Sequence, residues 1–308
     1  MASVMHPGER LRRLMQSGCV MLPGAHDGMT ARLACEAGFK GLYVSGAALS
    51  ATQGVPDIGL LSLEDFTRAI AQAAAVTNLP ILADADTGFG GTEMVRRTVF
   101  EYNRAGAAGL HIEDQEFPKK CGHLDGKSLI PLDAMEEKIR AAAAAAQECA
   151  DGSFIICART DARGVESIDA AVERAVRYAQ AGADMIFPEG LQTEAEFQAF
   201  AHALAVLPGK APFGGPYLLA NMTEFGRTPL TLLTTFERLG YHAVIYPVSP
   251  LRVAMKGIKE MLVDLRKNGS VENSIDKMYT RQELYKTLKY TPAELWQFPS
   301  PSSANEEN

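Results

Sequence analysis

The chain has 308 residues, of which 47% are hydrophobic and 22% are charged, as in ordinary globular proteins. Its net charge of -7 argues against nonspecific nucleic-acid binding, which requires a basic face. No apolar run approaches the roughly 18 residues of a membrane span. We therefore expect a globular α/β protein that binds neither nucleic acid nor a membrane.

The cysteines are scattered, which favours neither a disulfide framework nor a zinc finger: they are Cys19, Cys35, Cys121, Cys149 and Cys157. A reducing compartment is expected, the cytoplasm or, in a eukaryote, the mitochondrial matrix. The first 18 residues contain arginines but no apolar segment. They therefore predict a surface helix and not a secretory signal.

Eight apolar segments that end in polar residues predict eight strands, near 19–23, 41–46, 80–86, 109–114, 154–161, 185–189, 216–222 and 242–249. Stretches with an apolar period of 3.6 residues predict helices between them, among them 62–75, 93–105, 133–149, 167–181 and 194–207. Four of these units share a glycine between helix and strand, and each glycine fits a left-handed helix C-cap: Gly38, Gly106, Gly182 and Gly240.

Apolar strands that alternate with helices imply a parallel sheet, and eight such units imply a closed (β/α)8 TIM barrel. A doubly wound open sheet is the alternative. Its best support is the "DTGFGGT" segment, but Glu93 stands where the third glycine of a dinucleotide-binding motif belongs. We expect one barrel domain over residues 1–290, with extra C-terminal helices near 251–267 and 276–289, and a flexible tail over 291–308.

Polar residues collect at the predicted strand ends, where barrels of this kind place their chemistry. The set comprises Tyr43, Ser45, Asp84, Asp86, Glu113, Asp114, Arg159, Asp161, Glu189, Asn221, Thr223 and Ser249. One acidic residue at a strand end is more often a helix N-cap. A ring that recurs strand after strand favours an active site.

Asp84 and Asp86 lie two residues apart, so a strand would point both carboxylates the same way. Together with Glu113, in a second shell or through water, they suit a hard cation that retains water, Mg²⁺ or Mn²⁺. The alternative is that one of the two aspartates is a metal ligand and the other a helix N-cap. His111 lies inside an apolar strand and is expected to be a core histidine.

The segment "EFPKKCGHLDGKS" (residues 116–128, hereafter the thiol loop) places Cys121 among positive charges. Lys119, Lys120 and His123 would lower the pKa of this thiol. Arg159 could form a structural ion pair with Asp161. It could instead hold a substrate carboxylate, whose geometry matches a guanidinium fork.

Eight motifs occur in order over residues 5–290: "YVSGAALSATQGVPDIG", "ADADTGFGG", "GLHIEDQ", "KKCGH", "ARTDA", "ADMIFPE", "ANMTEFGRTP" and "YPVSPLR". Together they resemble the isocitrate lyase/PEP mutase superfamily, and "KKCGH" resembles its lyase branch. The resemblance is strongest to the methylisocitrate lyases. It implies Mg²⁺-dependent barrels that form homotetramers, with the eighth helix swapped between subunits.

The resemblance also implies site roles. Metal binding falls to Asp84 and Asp86. Substrate contacts are implied at Ser45, Gly46, Ala47, Cys121, Gly122, Arg159, Glu189, Asn221, Thr223, Arg252 and Arg281. Pattern alone would leave Arg252 and Arg281 as surface charges. The chain departs from the family pattern at Ala47 and Ala48, which replace a glycine run, and at Lys120, which replaces arginine.

The activity implied is cleavage of the tricarboxylate 2-methylisocitrate to pyruvate and succinate, a step of the 2-methylcitrate cycle in propionate catabolism. Cys121 is then the expected general acid, Arg159 and His123 belong to the catalytic group, and Tyr43 is a candidate general base. Alternatives are a 2,3-dimethylmalate lyase, an oxaloacetate acetylhydrolase and, in a different class, a barrel without catalysis.

Overall fold

A computed structural model describes residues 5–122, 124, 126–212 and 214–297. Its parallel strands are β1 Val20–Pro23, β2 Leu42–Val44, β3 Ile81–Asp84, β4 Gly109–Glu113, β5 Ile155–Thr160, β6 Met185–Pro188, β7 Tyr217–Asn221 and β8 Ala243–Tyr246. They form one sheet in the order β1-β8-β7-β6-β5-β4-β3-β2. A parallel bridge between Gly24 and Tyr43 joins the ends of that order. The predicted (β/α)8 barrel is confirmed, and the open sheet is wrong.

The α-helices are α1 Pro7–Ser17, α2 Gly28–Glu36, α3 Gly46–Thr52, α4 Leu63–Val76, α5 Thr92–Ala105, α6 Leu132–Ala150, α7 Ile168–Gln180, α8 Glu194–Ala205, α9 Leu233–Arg238, α10 Ser249–Asn268 and α11 Arg281–Thr287. Short 3-10 helices cover Ala162–Gly164 and Glu272–Lys277. The helical stretch expected over 276–289 is confirmed in part, since it is divided between the second 3-10 helix and α11. Thr280 and Glu283 form a capping box that starts α11 afresh.

The four predicted cap glycines all adopt positive φ angles: +87° at Gly38, +97° at Gly106, +113° at Gly182 and +81° at Gly240. A side chain would be strained in this region, which glycine enters freely. Each glycine therefore ends its helix and turns the chain into the next strand. The predicted C-caps are confirmed.

Helix α1 closes the N-terminal end of the barrel. Leu11 and Met15 are fully buried and pack with inward-facing side chains near the strand starts, such as Ile155. Arg12 is also buried, and its guanidinium lies 3.1 Å from Asp184. The prediction of a surface helix is therefore wrong for one face of α1, because that face caps the inner core.

Helix α10 leaves the barrel with its apolar side chains uncovered. Of its 20 residues only Leu251 is buried. Exposed apolar side chains follow along its length: Val253, Met255, Ile258, Leu262, Val263 and Leu265. On the barrel wall, Met21 of β1 faces outward and is 38% exposed. The apolar side of α10 and the outward-facing Met21 are thus both left uncovered by the described residues of the single chain.

The structure also bears on two further predictions, the absence of a membrane span and the flexible C-terminal tail. None of the helices in the described part of the chain is long and apolar enough to cross a membrane. The tail expected from residue 291 is described as far as residue 297, where Trp296 donates to the Leu288 carbonyl at 3.0 Å. Residues 298–308 lie outside the described part, and the flexible tail stays a prediction.

Candidate active site

The polar side chains at the strand ends converge on one mouth of the barrel, as predicted. The carboxylate of Glu113 on β4 lies 3.3 Å from Arg159 on β5. Arg159 in turn lies 3.6 Å from Glu189, which follows β6. Asn221 on β7 donates to Glu189 at 3.1 Å. Four neighbouring strands therefore contribute to one connected set of charged and polar groups.

Asp84 and Asp86 meet by a turn and not by strand alternation. Strand β3 ends at Asp84, and Asp86 has φ +45°, in the left-handed region. The Asp86 amide donates to the Asp84 carboxylate at 3.0 Å. The predicted proximity is confirmed, but the expected strand geometry is wrong, because the backbone leaves the extended conformation at Asp86, two residues after the end of β3.

The two carboxyl groups are electrostatically different. Burial and the charge of Asp84 raise the pKa of Asp86 to about 6. Burial also opposes ionisation of Asp84, but the neighbouring His111, Lys119 and Arg159 hold the pKa of Asp84 below its usual value. Asp84 is therefore the stronger anion of the pair.

Lys119 places its ammonium group inside this carboxylate cluster. Its Nζ lies 2.8 Å from Asp86 and 2.5 Å from Asp57, and the side chain is 3% exposed. Burial disfavours the charge, but the carboxylates around it, Glu113 first, raise the pKa of Lys119 well above its usual value. The sequence pattern predicts Lys119 only as a neighbour of the thiol, whereas the structure places its ammonium group in the site.

Glu113 is fully buried, and neither of its carboxylate oxygens has a hydrogen-bond partner among the described residues. Burial raises the pKa of Glu113 well above its usual value. A buried carboxyl group without hydrogen-bond partners is costly, and for Glu113 the ion pair with Arg159 offsets only part of that cost. A cation, or water held by one, would supply the missing interactions.

The mouth has the charge balance of a site for a divalent cation. Six carboxyl groups connect there: Asp57, Asp84, Asp86, Glu113, Asp161 and Glu189. Three cations face them: Lys119, Lys127 and Arg159. No group of three or more His, Cys, Asp and Glu side chains is arranged to hold a metal directly within the described ranges. Two direct carboxylates with water completing the shell suit Mg²⁺.

Arg159 is held by several carboxylates at once. Its Nε donates to Asp161 at 2.9 Å and its Nη2 donates to the other Asp161 oxygen at 3.2 Å. Its guanidinium carbon also lies 5.2 Å from the centre of the Phe187 ring. The predicted ion pair with Asp161 is present. It leaves Nη1 facing the mouth, toward Glu113 and Glu189, where a substrate carboxylate could also bind. Its substrate contact stays a prediction.

The segment after β2 lies against the carboxylate of Asp84. The Gly46 amide donates to Asp84 at 3.0 Å, and a Cβ there would come within 3.0 Å of the same carboxylate. Ser45 is buried and caps α3 by accepting from the Ala48 amide. Ala47 packs against a small cluster that includes Val248. The backbone at Gly46 therefore lies close to the carboxylates of Asp84 and Asp86.

The thiol loop folds over the mouth. Cys121 is half-buried and not in a disulfide. A Cβ on Gly122 would lie 2.5 Å from Arg159 and 2.6 Å from Glu189, so the loop backbone rests on these two side chains. Lys120 donates to the Gly126 carbonyl at 2.5 Å. The predicted lowering of the Cys121 pKa stays a prediction, and His123 lies outside the described residues.

Tyr43 points into the barrel below the mouth. Its hydroxyl and the Nε2 of His111 are 2.7 Å apart, and that Nε2 is 3.6 Å from Asp84. Burial and the charge of Asp84 raise the pKa of Tyr43 well above its usual value. Burial lowers the pKa of His111 to about 4. The core position expected for His111 is confirmed, and Tyr43 keeps its proton at neutral pH, which disfavours a phenolate base.

Asp114 points away from the mouth, although it follows Glu113 directly. Its carboxylate accepts from the Asp161 amide at 2.9 Å and from Thr160 and Tyr178 at 2.7 and 2.9 Å. Successive side chains of a strand face opposite sides. Asp114 therefore anchors the chain at Asp161 from behind, and its place in the predicted polar ring is wrong.

The mouth also includes Thr223, which donates to Asn221 at 2.7 Å. The two late arginines are differently placed. Arg252 at the start of α10 lies 3.2 Å from Glu224 at the rim. Arg281 is exposed on α11, which packs against α2 outside the barrel. A single chain does not bring Arg281 to the other site residues.

Sequence reasoning missed Lys127 and Asp57 and underrated Lys119. Nothing in the pattern distinguishes a lysine that will be buried from one that will be solvated. The one available signal was their position in glycine-punctuated loops beside the strand ends. Such loops carry function more often than the elements they connect.

The comparisons with known proteins place this site in a family. Residues 11–266 match the family described as phosphoenolpyruvate phosphomutase. The chain belongs to this family. The superfamily resemblance predicted from the ordered motifs is thereby confirmed.

Several members of the family are similar over nearly the whole chain. A probable 2-methylisocitrate lyase 1 of Corynebacterium glutamicum is 49% identical, with 87% of this chain and 84% of that protein covered. The 2-methylisocitrate lyase of Bacillus subtilis is 45% identical, with 91% and 89% covered. The 2,3-dimethylmalate lyase of Eubacterium barkeri is 40% identical, with 91% and 93% covered. Among solved structures, an oxaloacetate acetylhydrolase superposes with a TM-score of 0.84 at 35% identity, with 91% and 92% covered.

Proposed function

We propose that the protein is a Mg²⁺-dependent carbon–carbon lyase that cleaves 2-methylisocitrate to pyruvate and succinate. The observation that carries the proposal is the mouth itself. Two adjacent carboxylates, Asp84 and Asp86, stand beside a buried Arg159, and the loop that carries the Cys121 thiol rests on that arginine. The relatives named as 2-methylisocitrate lyases support the substrate.

The reaction needs three things from the protein. The substrate hydroxyl loses its proton and becomes the carbonyl of pyruvate as the neighbouring C–C bond breaks. The electron pair of that bond passes into the carboxylate of the other fragment as an enolate-like dianion. A proton then reaches the carbanion carbon and completes succinate. The protein must accept one proton, stabilise the transient charge and deliver one proton.

Mg²⁺ would be held by Asp84 and Asp86, with Glu113 acting through water, and when bound it supplies positive charge to the oxygens of the α-hydroxy acid. Arg159 supplies fixed positive charge for the dianion. Its orientation is set by Asp161, and such preorganisation is what makes electrostatic stabilisation effective. Gly46 carries no side chain, so its backbone leaves room for the substrate next to Asp84.

Cys121 is the proposed proton donor. Gly122 rests on Arg159, so the thiol is carried to the same part of the mouth where the dianion charge is stabilised. Closure of the loop also excludes water, which would otherwise compete as a proton source. The general base is not assigned, since Tyr43 is held protonated.

The substrate can be tested against the alternatives directly. The assay is kcat/KM for 2-methylisocitrate, isocitrate, 2,3-dimethylmalate and oxaloacetate, at one Mg²⁺ concentration, with Asp84→Ala as the inactive control. We expect at least a tenfold preference for 2-methylisocitrate over either dicarboxylate, since an unpaired buried guanidinium costs about 2–5 kcal/mol. Isocitrate lacks one methyl group, worth roughly 1–3 kcal/mol, and should be slower but not inert.

A faster dicarboxylate would leave the lyase chemistry intact and would overturn the methylisocitrate assignment. No turnover of any of the four compounds, in protein shown to be folded and loaded with Mg²⁺, would favour the barrel without catalysis. The carboxylate-binding roles of Arg252 and Arg281 stay predictions within this proposal.

The same proposal includes a homotetramer with swapped helices. Its support is the uncovered apolar side of α10 and the exposed Met21 on the barrel wall. A cavity of about 310 Å³ lies beside Met21, with Val20, Phe39 and Leu14 in its lining. The apolar side of α10 from a second copy of the chain could cover that part of the wall.

Ile258→Asp places a charge on α10 where the side chain is 54% exposed in the single chain. We expect it to dissociate the assembly in light scattering coupled to size exclusion. Val206→Asp is the matched control, because Val206 is 82% exposed at the end of α8, away from α10. A wild type that runs as a monomer would contradict the swapped tetramer.

A further inference from the structure

Lys127 lies at the far end of the thiol loop and reaches back into the mouth. Its Nζ donates to the Asp161 carboxylate at 2.7 Å and also to the carbonyl of Gly122. The Lys127 side chain is 4% exposed and that of Asp161 is fully buried. The amine packs below the 3-10 turn, where a Cβ on Gly164 would be 3.4 Å away. Lys127 therefore joins the residue next to the thiol to a buried anion.

Asp161, the carboxylate that Lys127 binds, also binds Arg159. Both Asp161 oxygens accept from the Arg159 guanidinium, at 2.9 and 3.2 Å, and one of them also accepts from Lys127. Burial opposes the charge on Asp161, but Arg159 and Lys127 lower its pKa to about 2. One carboxylate thus serves two cations while the loop rests on the mouth.

We propose that Lys127 is a positioning residue that latches the thiol loop over the mouth and, by sharing Asp161, couples loop closure to carboxylate binding at Arg159. The inference deepens the proposed function and rests on it for the identity of the carboxylate. The latch itself rests on the contacts of Lys127 alone.

The coupling follows from charge balance. While Lys127 is bound, the single charge of Asp161 is divided between two cations, and Arg159 retains positive potential for a substrate carboxylate. When the loop lifts, Lys127 leaves, and Arg159 becomes the only cation that Asp161 neutralises. The site then attracts an anion less strongly. Because linkage is reciprocal, a bound carboxylate must favour the latched loop to the same degree.

The experiment measures how fast iodoacetamide alkylates Cys121, by peptide mass spectrometry, in the Mg²⁺-loaded protein with and without succinate, the product whose carboxylate the proposed function assigns to Arg159. The exposed Cys35 is the internal reference for reagent and fold. Lys127→Met removes the charge and both hydrogen bonds at similar length, and Lys127→Arg retains a cation. Lys210→Met is the matched control: Lys210 lies 3.2 Å from Asp184 but is 56% exposed, outside the mouth.

We expect Lys127→Met to raise the Cys121 alkylation rate roughly tenfold to a hundredfold, the range for hydrogen bonds to charged groups. Succinate should protect Cys121 in the wild type and protect it much less in Lys127→Met. Lys127→Arg should fall between the two, and Lys210→Met should match the wild type.

A Cys121 rate in Lys127→Met equal to that of the wild type, with Cys35 unchanged, would overturn the latch. An increased rate with undiminished succinate protection would overturn the coupling. Should Lys127→Met not fold, Lys127→Gln carries the same test, since it removes the charge and retains a donor. Alkylation requires no turnover, so a different preferred substrate would refute the proposed function and leave this result standing.

Discussion

Gly122→Ala should disable the enzyme without unfolding it. A Cβ at this position would lie 2.5 Å from Arg159 Nη2 and 2.6 Å from Glu189 Cγ. Arg159 cannot withdraw easily, because Asp161 holds it by two hydrogen bonds. The φ angle of Gly122 lies outside the positive region, so alanine fits the backbone itself. The substitution therefore acts on loop closure and not on the local fold.

The size of the effect follows from these distances. Ordinary contacts begin near 3.4 Å, so the loop must retreat by almost 1 Å. Overpacking of this kind costs about 1–3 kcal/mol, which lowers the closed fraction roughly fivefold to 150-fold. We expect kcat/KM for 2-methylisocitrate to fall by that factor. The melting temperature should hardly change, since the loop lies on the mouth and not in the barrel core.

Pyruvate release can be followed continuously with a coupled dehydrogenase, and stability by thermal unfolding. The matched control is Gly28→Ala at the start of α2, where a Cβ would make only ordinary contacts, the nearest at 3.6 Å. Wild-type turnover in Gly122→Ala would refute the reasoning, because it would mean that the closed loop seen here is not the catalytic arrangement.

Three further predictions concern the metal, the thiol and the pH dependence of stability. Asp84→Ala or exhaustive EDTA should abolish activity, with Mg²⁺ or Mn²⁺ restoring the chelated wild type, and full activity in verified metal-free protein would contradict the metal role. Cys121→Ser should slow cleavage by roughly 10²–10⁴ with folding intact, the range for loss of a general acid, and near-normal turnover would place the donor elsewhere. Burial lowers the pKa of His242 to about 4, and its Nδ1 accepts from the Leu218 amide at 3.0 Å. Because an unfolded histidine takes up its proton near pH 6.5, the free energy of unfolding should fall by about 3 kcal/mol between pH 6.5 and 4 on account of this group. His242→Asn should remove that share in urea titrations at pH 4 and 6.5, and an unchanged pH dependence would contradict the assignment.

The sequence by itself determined the barrel. Its period-3.6 helices, apolar strands and cap glycines are local features, since each depends on residues within one βα unit. That is why the five helices named between the strands agree with the structure within two residues. The grouping of Asp84, Glu113 and Arg159 also followed from topology, because parallel strands end at the same edge.

Only the tertiary structure decided which polar groups share the site. Asp114 turned away because strand alternation reverses the side chain next to Glu113. Lys119 and Lys127 turned inward because buried carboxylates contributed by other strands and loops, Asp86 and Asp161, attract their charges. Those partners lie 33 and 34 residues away along the chain, and local pattern has no access to an electrostatic pairing that exists only once the barrel has closed.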